Sequence, residues 1–256
     1  MKKEESKTLQ IKDKRFARST IRRYFWNINW MKTLWINFKT QPFSKAIKFP
    51  IIVSWNSKIA CAGRIILPDN VYPGMLTIGL IFIPSFEVSN HRTLFNNKGT
   101  FTVGGNVKLH PGVKLYTRKG TELTVGNHVG FGSNTKVICC KNITIGNDVR
   151  ISWESQIFDT DFHFLYNTEK EKYYPRIKNV IIGNNVFVGN GTTIGKGTII
   201  PDGCVISCIS KVSGDFTEEG ENLLISGNPA KVVKKGVNIS SGWYPEKEKE
   251  IAKSIE

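Results

Sequence analysis

The sequence has no apolar run close to the roughly 18 residues that a membrane-spanning helix needs, and its first ten residues, MKKEESKTLQ, lack the hydrophobic stretch of a signal peptide. A cytoplasmic location is the expectation. The five cysteines, Cys61, Cys139, Cys140, Cys204 and Cys208, are odd in number and form no CxxC pair. Free thiols in a reducing compartment follow. Histidine is scarce as well: His91 precedes the regular part of the chain, and His110 and His128 follow their nearest repeat positions by one and three places, out of phase with each other. With no closely spaced pair to start a zinc site, no metal is expected.

Acidic residues are few, and the shortage is local. Residues 1–60 hold 14 Lys/Arg against 3 Asp/Glu, a net +11 out of +15 for the whole chain. Trp26, Trp30, Trp35, Phe25, Phe38, Phe43 and Phe49 lie in the same stretch. Such a basic, aromatic, helical segment has three uses: a cap on the open end of a solenoid, a peripheral contact with an anionic membrane, where cations meet headgroups and rings sit at the apolar boundary, or a nucleic-acid surface. Cap and membrane contact are carried forward, and nucleic acid is not expected as a partner.

What the chain has in quantity is a six-residue beat. Ile182, Val188, Ile194, Ile200, Ile206 and Val212 recur at that spacing, and Val186, Thr192, Thr198, Cys204 and Ser210 sit four places after the first five. Six is too long a period for either a helix or a flat strand, so the unit is a short strand plus a turn. Three units per coil build a parallel β-helix of triangular section, with the aliphatic residue inside and the small one near a corner. The turns read Gly-Asn-Asn, Gly-Asn-Gly, Gly-Lys-Gly and Pro-Asp-Gly, which suit backbone at positive φ. Earlier triplets start at Val103, Val125 and Ile145, and the short apolar runs between about 50 and 100 read as strands of irregular first coils. The expected organisation is an all-β core: a segment over 1–60, a β-helix over 61–236, and a tail or short helix over 237–256, starting after Pro245.

One interval breaks the beat. Ile145 to Ile182 takes 37 residues, whereas Ile182 to Ile200 takes 18. A polar, aromatic loop at 158–179 must therefore leave the solenoid, and long excursions from compact domains usually serve function.

The hexads, Asp159-Thr160-Asp161-Phe162-His163 in that loop, and Ser226-Gly227-Asn228-Pro229-Ala230-Lys231-Val232 near the end resemble the hexapeptide-repeat acyltransferases, among them the galactoside and maltose acetyltransferases and the O-acetyltransferases of surface polysaccharides. The likeness covers about 100–236. It implies a left-handed β-helix, a homotrimer, and acetyl-coenzyme A as acyl donor, bound between neighbouring chains. It also implies an O-acetyltransferase acting on a sugar hydroxyl of a bacterial surface polysaccharide or its precursor. N-acetylation of an amino sugar, serine O-acetylation and a noncatalytic carbohydrate-binding scaffold are the alternatives.

Acyl transfer to an alcohol needs a base, and His163, in the family's catalytic loop, is matched to that task near pH 7. Asp161 or Asp159 would orient its ring. Asp159 is otherwise an acceptor ligand, and Trp153 is either a platform for a sugar ring or packing beneath the loop. In the galactoside enzymes an asparagine and an aspartate hold the acceptor; Gly132 and Cys140 stand at those places here, so a galactoside acceptor does not carry over. The resemblance sets the coenzyme contacts at Asn190, Cys208, Ser213, Lys231 and Lys234, where both lysines replace arginines. For each a plainer role exists: Asn190 as a turn residue, Cys208 as packing, the lysines as a solvated face.

Overall fold

The computed structural model describes residues 25–80 and 91–239. Short strands wind into three parallel sheets, one per face of a prism. The first face has nine strands, from Ile51–Val53 to Ala230–Lys235; the second has seven, from Ser57–Cys61 to Lys211–Val212; the third has six, from Arg64–Ile66 to Ile199–Ile200. Each aliphatic beat falls on its expected neighbour in the next coil. Val103 pairs with Val125, Val125 with Ile145, Ile145 with Ile182 and Ile182 with Ile200, all buried. Leu109, Phe131, Ile151, Val188 and Ile206 do the same on the first face. Side chains alternate between faces of a strand, so one residue in two points inward and identical positions stack into columns.

The corners explain the small residues. Thr192, Thr198, Cys204 and Ser210 are buried there, and the Thr192 hydroxyl donates to Ser207 O at 3.0 Å while that of Thr198 donates to Gly195 O at 2.7 Å. A β-branched hydroxyl thus fills the bend and satisfies a turn carbonyl. Coils also approach too closely for a side chain at Gly189, where a Cβ would lie 2.5 Å from Cys208 N.

A stacked coil leaves unpaired N–H and C=O groups at its open end. Helix α1 (Trp30–Thr40) supplies the missing partners from its own polar side chains. Asn37 donates to Ile51 O at 2.7 Å and accepts from Ile51 N at 3.1 Å, Thr33 accepts from Val53 N at 3.1 Å, and Gln41 donates to Ile65 O at 2.9 Å. The helix acts as a cap, which is why Thr33 and Asn37 are buried beside Ile36 on its inner side. The solenoid also starts earlier than the expected boundary at 61, since Ile51–Val53 and Ser57–Cys61 already pair with the next coil. Periodicity could not show this, because these first coils lack the six-residue beat. At the other end Ala230–Lys235 folds back antiparallel on Leu223–Gly227 and packs Val232 on the core. The expected helix after Pro245 and the stretch before Phe25 lie outside the described residues. No helix among the described residues is long and apolar enough to cross a membrane.

Candidate active site

The long interval is an arm at the corner between the second and third faces. It leaves strand Gln156–Phe158, runs out as Tyr166–Asn167, turns, and returns antiparallel as Lys172–Tyr173. Its root is held by Asp159, which is fully buried; its carboxylate accepts from Cys140 N at 2.7 and 3.0 Å and from Lys141 N at 2.6 Å, both on the previous coil. Burial raises the carboxyl above its ordinary pKa, and the backbone donors of Cys140, Lys141 and Asn142 oppose that rise. The arm is further fixed where the Asp161 carboxylate pairs with Lys196, from the Gly-Lys-Gly turn of the next coil, and where Lys196 also donates to Pro175 O.

These contacts revise two expectations. Asp159 has no face open to an acceptor hydroxyl and lies in the arm's foundation, because a buried carboxylate must be satisfied by nearby donors and the turn at 140–141 provides them. The Asp161 carboxylate is taken by Lys196, so within one chain it does not orient the imidazole; what links the two residues is His163 N donating to Asp161 O at 2.7 Å. His163 itself is exposed, and its ring makes no hydrogen bond among the described residues. The preceding Phe162 adopts φ 64° and packs its ring 5.6 Å from that of Phe158. Aromatic side chains cover the rest of the arm: Phe164 and Tyr166 lie 6.2 and 5.0 Å from Tyr173, and the Arg176 guanidinium sits 4.7 Å over Phe164. Lys196 and Arg176 were missed in the sequence. For Lys196 the signal was its turn, one coil beyond the arm's corner in the hexad phase.

Trp153, Asn190 and Cys208 form a single column at the other end of the second face. Gly191 N donates to Trp153 O at 3.0 Å and Ile209 N to Asn190 O at 2.8 Å, so the three turns stack. Trp153 and Cys208 are exposed, as is Ile209, which adopts φ 56° although β-branched. This column and the arm are separated by the width of the second face, roughly 15 Å at strand spacing per residue. Trp153 therefore stands at the opposite corner of that face from the root of its own chain's arm. Gly132 lies tight against the Trp153 backbone, with a Cβ there only 2.5 Å from Trp153 N, and Cys140 serves Asp159. Gly132 has no side chain and the Cys140 thiol is no carboxylate, so neither position offers the asparagine or aspartate of the galactoside enzymes.

Ser213, Lys231 and Lys234 come together around an open cavity of about 600 Å³ at the closing end, also lined by Asp215, Phe216 and Glu219. Residues three apart on a strand normally face opposite ways. A bulge between Leu224 and Ile225 changes this: Lys231 pairs with Ser226 and Lys234 with Leu224, so both lysines share the outward side. Lys235 is bound to Glu219 at 2.9 Å, whereas the ammonium groups of Lys231 and Lys234 have no ion pair among the described residues. Paired, unneutralised cations at a cavity suit phosphates. Among the described residues no group of three His, Cys, Asp or Glu gathers as a metal set; His91 meets Asn134 at 3.1 Å and His128 meets Asp148 at 3.2 Å, far apart in the fold.

No protein-family model matches the chain. An uncharacterised 24.8 kDa protein in the cps region of Klebsiella pneumoniae is 38% identical over 154 residues, 59% of this chain and 66% of that protein, so the chain spans just under two thirds of this relative. The structure is similar to that of the polySia-specific acetyltransferase NeuO, with a TM-score of 0.54 and 22% identity over 80% of this chain and 87% of that one. The N-acyltransferase AntD from Bacillus cereus, solved with coenzyme A, aligns at a TM-score of 0.48 and 15% identity over 80% of this chain and 89% of that one. The chain has the hexapeptide-repeat left-handed β-helix fold; the repeats predict the β-helix, and the resemblance implied its hand.

Proposed function

We propose that this chain is an acetyl-coenzyme A-dependent O-acetyltransferase acting on a sugar hydroxyl of a bacterial surface polysaccharide or its precursor, in a reducing compartment, as a homotrimer. The observation that carries the reading is His163: among the regular coils from Val103 onward the solenoid makes one long departure from its repeat to build an arm, anchors that arm through Asp159 and Asp161, and leaves on it an exposed imidazole with no hydrogen bond among the described residues. NeuO, with the same fold, is named as an acetyltransferase of a polysialic glycan.

Acetyl-coenzyme A would supply the acyl group as a thioester. His163 takes the proton of the acceptor hydroxyl as its oxygen bonds to the thioester carbon, and returns that proton to the sulfur as the carbon–sulfur bond breaks. Lys231 and Lys234 hold phosphates by charge. Asp161 and Lys196 keep the arm in place, and Trp153 with Asn190 and Cys208 forms the ridge to which the arm of another chain docks. A trimer fits the separation of arm and ridge on adjacent corners of one prism, since a neighbour's arm can reach a ridge that its own chain's arm cannot. The exposed Phe164, Leu165, Tyr173 and Tyr174 give such an arm apolar surface to bury.

The test is acetyl transfer from acetyl-coenzyme A to a panel of sugars and lipid-linked sugars, with His163→Ala beside wild type. Loss of kcat by about 10²–10⁴-fold with the donor still bound is expected of a missing base. A folded variant with near wild-type kcat refutes the assignment.

A further inference from the structure

The outer side of α1 is an apolar surface exposed among the described residues. With Thr33, Ile36 and Asn37 turned to the first coil, Met31, Leu34, Trp35 and Phe38 form a stripe on the opposite side at helical spacing. Trp26 is 86% exposed, Met31 80%, Phe43 71% and Trp55 60%, and neighbouring rings cluster in pairs: Phe38 and Phe43 have centroids 6.0 Å apart, and Phe25 and Trp26 5.6 Å. A cap needs an inner face only. This helix carries a second apolar face, which the capping role does not use.

Charge selects the occupant. Residues 25–60 contain five lysines and no Asp or Glu, and residues 1–24 contain nine Lys/Arg against three acids. Lys39 lies 4.7 Å over the Trp35 ring, placing a cation at the edge of the aromatic stripe. We propose that this outer face of α1 rests on an anionic lipid surface, with Trp26, Trp35, Phe38 and Phe43 at headgroup depth and Lys39, Lys48 and Lys58 around them. Tryptophan and lysine suit that depth because each has an apolar body and a polar end. The face also fixes an orientation. Because α1 occupies the open edge of Ile51–Val53, the solenoid stands end-on, with its coils stacked away from the lipid.

This proposal is independent of the acetyl transfer. Full-length protein is sedimented with vesicles of phosphatidylcholine, with and without phosphatidylglycerol, at low and high salt. Wild type should bind the anionic vesicles only and release in salt, and its tryptophan emission should shift to the blue. The combined Trp26→Ser, Trp35→Ser, Phe38→Ser variant, whose side chains are outside the core, should keep its circular dichroism and lose binding by at least about tenfold; Lys39→Glu with Lys48→Glu should lose it likewise. Absence of wild-type binding, equal partition to neutral and anionic vesicles, or undiminished binding by the serine variant overturns the proposal. So does a fall in oligomeric mass in that variant, which would assign the face to a second copy of the chain.

Discussion

Replacing Asp159 separates a foundation from a binding residue. In Asp159→Ala the part-buried backbone N–H groups of Cys140 and Lys141, which the carboxylate now receives at 2.6 to 3.0 Å, lose their acceptor. A buried donor left unsatisfied costs about 1–3 kcal/mol, and with both groups only part-buried the two together cost roughly 1–3 kcal/mol, still a sizeable part of the stability of an ordinary domain. Asp159→Asn keeps one acceptor oxygen in the same volume and should lose no more than about half as much. Urea unfolding followed by circular dichroism measures both, and the arm's contribution can be read separately from protease cleavage within 160–177, which should accelerate in the alanine variant. In the folded asparagine variant the KM for the sugar acceptor should stay near wild type. An alanine variant within about 0.5 kcal/mol of wild type would refute the structural role, and a large rise in acceptor KM with asparagine would return Asp159 to the acceptor site.

Three further outcomes follow from the geometry. Changing Lys231 and Lys234 together to Ala should raise the KM for acetyl-coenzyme A and weaken its salt dependence, with little effect on acceptor KM; an unchanged donor KM would place the phosphates elsewhere. If the arm and the lysine cavity of one site come from different chains, mixing unfolded His163→Ala with the lysine double variant and refolding them together should recover, at donor concentrations below the raised KM, part of the activity that each has lost, whereas no recovery would argue for sites built within one chain. His110 has its pKa lowered to about 4, by burial first and then by Lys108, so the fold holds it neutral above that pH. A depressed folded pKa gives stability present above the unfolded value near 6.5 and lost as pH falls through about 4, here up to about 3 kcal/mol. His110→Gln should flatten the stability curve between those limits, and an unchanged slope in urea titrations would refute the assignment.

The inward columns were legible because a solenoid repeats one local environment: Val103, Val125, Ile145, Ile182 and Ile200 meet the same neighbours, so sequence phase translates directly into register. The arm was legible as a failure of that phase. What escaped was every contact depending on which coil lies above which corner. Asp159 and Asp161 flank Thr160 and look equivalent in sequence, yet one faces the turn at 140–141 and the other the turn at 196. Residues three apart on a regular strand face opposite ways, and it is the bulge against Leu224 and Ile225 that brings Lys231 and Lys234 together. The cap was anticipated as aromatic; the groups that close the first coil are Thr33, Asn37 and Gln41, whose role depends on an unpaired strand edge that a repeat does not reveal.

Orientation on a membrane would also set which sugars are reached. The arm leaves the fifth strand of the second face, four rungs beyond Ser57–Cys61. At about 4.8 Å per rung, with one helix thickness beneath, an end-on solenoid holds His163 roughly 30 Å above the lipid. A lipid-linked monosaccharide cannot extend that far from its headgroup, whereas an oligosaccharide of several units can. With vesicle-embedded acceptors of increasing length, activity should be low for the shortest and rise once the chain spans that height; with the same sugars released into solution the length dependence should weaken. Removing the apolar stripe by Trp26→Ser, Trp35→Ser and Phe38→Ser should abolish the difference between embedded and free acceptors while leaving turnover of free acceptor intact. Equal rates on short and long embedded acceptors would rule out the end-on geometry even if membrane binding itself were found.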